Sequence, residues 1–106
     1  MKPRRFDVFL VSLDPTLGSE MKKTRLCIVI SPDEANAHLN TLLVVPITSS
    51  FRNYPSRVAL RFRDRDGQAA IDQLRVVDRV RLIRRLGRID PDAAAQLIET
   101  IHDYLT

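Results

Sequence analysis

Cysteine, histidine and glycine are all scarce in these 106 residues, and each shortage removes a chemistry. With a single cysteine, and with His38 and His102 far apart on different predicted elements, the chain has no zinc-ligand spacing. Two such remote histidines do not make an acid–base pair either. Three glycines are too few for a phosphate-cradling loop. No apolar run approaches the ~20 residues that a membrane span requires, and no signal peptide is expected ahead of the first strand. A cytoplasmic protein with no membrane partner is therefore expected. Cys27 sits in the apolar run "LCIVIS", the setting of a small buried hydrophobe in a reducing compartment. A nucleophilic thiol needs electropositive, partly exposed surroundings instead. Asp64 and Asp66 alternate with Arg63 and Arg65, which suits a solvated hairpin tip better than a magnesium site. No metal and no cofactor are expected.

Arginine is what the chain has in excess. The net charge is +4, and 14 of the 17 cationic side chains are arginine; the pI is about 9.8. A basic surface favours polyanions, nucleic acid first among them, and arginine makes forked contacts to phosphate that lysine cannot. The length suits one domain, residues 1–106, large enough for a real core.

The runs "FDVFLVSL" (6–13), "LCIVIS" (26–31) and "TLLVVPIT" (41–48) are short, rich in β-branched residues and bounded by turn formers, as buried strands are. "RVALRFR" alternates, with Val58, Leu60 and Phe62 on one face and Arg57, Arg61 and Arg63 on the other, so a half-exposed strand is expected there. Asp66-Gly67 is a strong hairpin signal. Further strands are expected over 69–77 and 80–86, and a short helical turn over 33–37. The C-terminal segment predicts a helix capped by Asp90, with Pro91 in its first turn. Its apolar face carries Ala94, Leu97, Ile98, Ile101 and Leu105. Connections are too short for parallel crossovers, so the expected fold is mainly β: a small, curved antiparallel sheet or partial barrel with the helix packed on it.

Polar residues gather at the predicted strand ends. Between the first two strands lies "DPTLGSEMKKTR", a long polar loop containing Glu20 and closed by Arg25. Thr48-Ser49-Ser50 end the third strand, and pairing of the second strand with the third brings Arg25 and Thr48 toward the same sheet end. A cation beside hydroxyls suits a phosphate group; turn chemistry alone predicts the same residue types. Asp72 and Gln73 interrupt the apolar "AAIDQLRVV". Phe51 and Tyr54, after Thr48, are candidates for base stacking or for plugging the core. The segment "RVVDRVRLIRRLGR" sets six arginines against one aspartate, partly as a solvated face and partly as a track for phosphates.

"DVFLVSLDPTLGSE", "RLCIVISPDEAN", "VVPITSS", a following "YP" and "DQLRVVDRVRL" together resemble the MazF/PemK toxins, mRNA endoribonucleases of bacterial toxin–antitoxin pairs. The order and spacing match over nearly the whole chain. The resemblance implies an SH3-like small barrel, a homodimer, and metal-independent cleavage of single-stranded RNA in the bacterial cytoplasm. It also implies a cognate antitoxin with an acidic, partly disordered tail. Arg25 then matches the catalytic arginine and Thr48 the catalytic hydroxyl. Glu20 matches the acidic residue of the "GSE" motif. Ser19 beside it, Ser49, Asp72, Gln73, Phe51 and Tyr54 are the implied RNA contacts. The chain departs from the family at several positions: Leu26 follows Arg25 where proline is usual, Phe6 precedes Asp7 where glycine is usual, and Ala70 stands where some relatives carry an arginine partner for Asp72.

By the chemistry that the resemblance implies, the RNA 2′-hydroxyl attacks the adjacent phosphorus, leaving a 2′,3′-cyclic phosphate and a free 5′-hydroxyl. Arg25 would stabilise the phosphorane, Thr48 would donate to a non-bridging oxygen, and Glu20 is the chemically easiest base. Two rivals share the fold: a gyrase-binding toxin, whose Trp-Gly-Ile ending is missing here, and an RNA-binding relative with weakened catalysis.

Overall fold

The computed structural model describes residues 2–13 and 23–106. Seven strands form one curled antiparallel sheet: β1 (Asp7–Ser12), β2 (Thr24–Val29), β3 (Thr41–Thr48), β4 (Arg57–Phe62), β5 (Arg65–Ala70), β6 (Arg75–Asp78) and β7 (Leu82–Arg88). Their order is β4-β5-β3-β2-β1-β7, with β6 also paired to β3. Helix α1 (Asp33–His38) links β2 to β3, and α2 (Pro91–Leu105) closes the chain.

The three apolar runs become the central strands because they bury both faces. Val8, Ile28 and Val45 enter one core with Val58, Ile71, Ala94 and Leu97. Their neighbours Phe9, Val11, Cys27, Val29 and Val44 enter a second core with Leu42, Val77 and Leu82. Successive strand residues point to opposite faces. A strand covered on both sides therefore reads as a continuous apolar run and not as an alternating one. Cys27 is fully buried, and burial pushes its thiol up to about 12 against the pull of Arg75 and Arg25. It is an inert hydrophobe at neutral pH.

Asp90 caps α2 by accepting from the Ala93 N–H at 2.8 Å, with Pro91 opening the helix. Ala94 and Leu97 are buried against the sheet, with Ile101 packed beside them. Ile98 and Leu105 are exposed, contrary to the helical-face reading. Ile98 instead borders an open groove with Phe6 and Ile89, so the apolar stripe is wider than the surface it covers.

The hairpin expectation also needs correction. Phe62 pairs with Arg65, so the two-residue turn is Arg63-Asp64 and both residues have positive φ (50° and 63°). Asp66-Gly67 lies inside β5. Aspartate tolerates the left-handed region well enough to occupy such a turn. Glycine is needed three residues on for another reason: a Cβ on Gly67 would sit 2.9 Å from Ile47 Cγ2 and 3.4 Å from the Thr48 carbonyl. Asp64→Gly should therefore raise stability by about 1 kcal/mol, by relieving the left-handed cost at that position. Thermal unfolding checks this, and an unchanged or lower Tm would show that Asp64 carries no such cost.

The expected strand over 69–77 is two strands. β5 ends at Ala70, a 3₁₀ turn spans Ile71–Gln73, and β6 begins at Arg75. Ile47 faces Ala69 and Val44 faces Arg75. Three steps along β3 are thus matched by six on the other side, and the surplus bulges outward at Asp72 and Gln73. Likewise a 3₁₀ turn over Arg79–Arg81 occupies the start of the strand expected over 80–86.

Candidate active site

The site is made by one strand changing partners. β3 pairs with β2 through Val44, Val45 and Pro46, and Pro46 stands opposite Cys27. Proline has no N–H to donate to a ladder. From Ile47 onward β3 pairs with β5 instead, Thr48 standing opposite Gln68. Where β2 and β3 part, a cleft of about 590 Å³ opens. Continuing the β2–β3 register by two residues sets Arg25 across from Thr48, and both line this cleft, as do Ser49 and Ser50. Gly67 leaves room on the β5 side.

The cleft is basic. Lys23, Arg25 and Arg65 line it. Neither Arg25 nor Arg65 has a hydrogen-bond or ion-pair partner among the described residues. Among the described residues one carboxylate lines it, Asp66, which is paired with Arg61 at 3.2 Å. Thr48 is almost buried. Its Oγ1 accepts from the Ser50 N–H at 3.0 Å, and its own proton has no acceptor among the described residues.

Ser19 and Glu20 lie outside the described residues. The described chain on either side is joined by the Leu13 N–H to the Lys23 carbonyl, 3.0 Å. Asp72 and Gln73 do not line the cleft; both are exposed on the 3₁₀ turn. Phe51 and Tyr54 are each 50% exposed, so neither plugs the core.

Asp72 does have an arginine partner, although Ala70 does not supply it. Arg57, at the start of β4, reaches Asp72 Oδ1 from Nε at 2.8 Å and Oδ2 from Nη2 at 3.3 Å. Ser56 Oγ also donates to Oδ1 at 2.8 Å. The Arg57 hydrogen bonds hold the Asp72 carboxyl below its ordinary value, with burial opposing and Ser56 assisting. Strand alternation alone places Arg57 on the solvent side; its partners come from distant segments, so the residue could not be singled out in the sequence. Arg65 was hidden in the same way, as one charge of a supposed hairpin tip.

Most arginines in the 75–88 segment are not free to track phosphates. Arg85 and Arg88 each reach the buried Asp7 at 3.2 Å. Arg79 donates to the carbonyls of Asn36 and Leu39, and Arg81 to that of Ser12. Among the described residues, Arg75 and Arg84 are left without a side-chain partner.

Comparison with known proteins agrees with this architecture. The chain is 36% identical over 112 aligned positions to Endoribonuclease MazF9 of Mycobacterium tuberculosis, covering 96% of this chain and 95% of that protein. It is 35% identical over 91 positions to Endoribonuclease toxin MazF of Escherichia coli strain K12, covering 85% of this chain and 82% of that one. Among solved structures, a MazE–MazF crystal structure from Deinococcus radiodurans superposes with a TM-score of 0.86 at 24% identity, covering 99% of this chain and 96% of that one. A mycobacterial endoribonuclease in complex with its cognate antitoxin gives 0.83 at 20% identity, covering 97% and 94%. The structural likeness shows the shared curled fold. Residues 4–105 match the family of PemK-like, MazF-like toxins of type II toxin–antitoxin systems, and the chain is a member of that family.

Proposed function

We propose that this protein is an endoribonuclease toxin that cuts single-stranded mRNA at specific sequences without a metal ion. The observation that carries this reading is the meeting of Arg25 and Thr48 in one basic cleft. Arg25 presents a fork of donors to the charge that develops on the phosphorane, and the preset Thr48 hydroxyl donates to a non-bridging oxygen. The attacking group is the RNA's own 2′-hydroxyl, so the products are a 2′,3′-cyclic phosphate and a 5′-hydroxyl. Glu20 is the base in this scheme; Glu20→Gln separates that role from RNA positioning, since a base mutant keeps its affinity. Cations and hydroxyls around the scissile position supply the charge stabilisation that a metal ion would otherwise provide.

The cognate partner is an antitoxin with an acidic tail, suited to the chain's net charge of +4. The working unit is a homodimer in the bacterial cytoplasm. Val76, Val80 and Ile83 support the dimer as exposed apolar side chains on β6, the following turn and β7.

The test is incubation of a long unstructured RNA in EDTA with mapping of the new ends, and Arg25→Ala as control. Discrete cuts with cyclic phosphate ends are expected. Intact RNA from folded wild-type protein would instead direct attention to gyrase or to binding without cleavage. A second expectation concerns Arg65, which is placed to hold a neighbouring phosphate. Arg65→Ala should reduce the slope of log affinity against log salt by about 0.7, one single-strand phosphate contact. An unchanged slope would show that Arg65 meets no phosphate.

A further inference from the structure

The segment between β3 and β4 (49–56) has little regular backbone pairing, yet it is tied down at both ends and in its middle. Arg57 Nη1 donates to the Ser50 carbonyl at 3.1 Å and to Gln68 Oε1 at 3.3 Å. Gln68 in turn holds the Arg52 main chain on both sides, accepting from its N–H at 3.0 Å and donating to its carbonyl at 3.1 Å. The Arg57 guanidinium lies 5.3 Å from the Tyr54 ring centre. Through Nε and Nη2 the same guanidinium grips Asp72. Its side chain is only 6% exposed, an unusual state for an arginine near the surface. Four of its five N–H donors are spent on protein groups, which leaves too few for a forked contact to phosphate.

We propose that Arg57 is a positioning residue for RNA recognition, whose guanidinium locks the 49–56 loop to the turn bearing Asp72 and Gln73. This rests on the endoribonuclease reading above and goes beyond it. Arg25 and Thr48 are held by strands, so Arg57 reaches the phosphate site only indirectly, through Ser50. The loop is different: it carries Phe51 and Tyr54, half exposed beside the cleft rim formed by Ser49 and Ser50. Fixing it in advance removes an ordering cost from RNA binding. Fixing it in one shape also restricts which bases can lie against it. Only arginine serves, because a lysine ammonium cannot hold a carboxylate with two donors and still reach a carbonyl on the other side.

The experiment compares KM, kcat and the pattern of cuts on one RNA for wild type, Arg57→Lys, Asp72→Asn and the double variant, with Tm measured for each. Arg57→Lys and Asp72→Asn should each raise KM roughly tenfold, the scale of losing a charge-assisted contact. In both, kcat at saturating RNA should fall less than KM rises, and new cuts should appear at sequences that wild type leaves intact. The double variant should be no worse than either single one, because the two residues act as one unit. A folded Arg57→Lys protein with wild-type KM and cut pattern overturns the proposal, as does a loss confined to kcat. Should the lysine variant fail to fold, Asp72→Asn, isosteric and on an exposed turn, decides by the same criteria. Failure of the wild type to cut RNA at all overturns the nuclease reading itself, and the Arg57 assignment with it.

Discussion

Arg25→Ala should lower the rate of RNA cleavage by 10² to 10³, roughly the loss expected when one preorganised stabiliser of developing negative charge is removed. The fold should survive, since Arg25 is half-buried, without a partner among the described residues, and at the start of β2. Substitutions of that kind usually change stability by no more than about 0.5 kcal/mol. The measurement is single-turnover cleavage at saturating RNA, with unfolding curves as the control. Arg25→Lys refines it. A lysine restores the charge but not the fork, so it should recover only part of the lost rate. Near-wild-type cleavage by the alanine variant would remove Arg25 from the chemistry.

Thr48→Val should cost about 10²-fold in rate by deleting one donor while keeping the shape of the side chain. The substitution leaves the Ser50 N–H without its acceptor, but Ser50 is exposed and water can replace the hydroxyl. Stability should therefore change little. Thr48→Ser restores the hydroxyl and should restore most of the rate. If Arg25 and Thr48 stabilise the same phosphorane, the double variant should lose far less than the product of the two single losses. Multiplicative losses would indicate that the two residues act at separate steps.

Much of the fold was legible because the central strands are covered on both faces. That double burial writes itself into the chain as unbroken apolar runs in β1, β2 and β3, and β3 begins and ends where the sequence reading put it. The helix cap at Asp90 was equally local, one side chain meeting a backbone N–H three residues on. Arg25 and Thr48 could be brought toward the same sheet end in advance because the start of one antiparallel strand lies beside the end of its neighbour. The hairpin turn was misplaced because Gly67 answers to Ile47 across the sheet and not to a local turn. Asp72 and Gln73 stand out in the sequence as polar residues in an apolar run, but the break of the strand at 71–73 does not, as its cause lies in β3 meeting two partners along its length.

Arginine composition and the identity of the central strands were thus legible in the sequence itself, through local burial, and strand order brought Arg25 and Thr48 only toward the same sheet end. Which arginines remain available was decided only in three dimensions. Arg57 meets Asp72 from 15 residues away, and Arg88 meets Asp7 from 81. An ion pair at such separation leaves no periodicity behind, because it depends on which strand edges come together and not on how any one segment coils. The sequence could count the cations; only the closed sheet could show which of them are spent on holding it together and which are left facing the cleft.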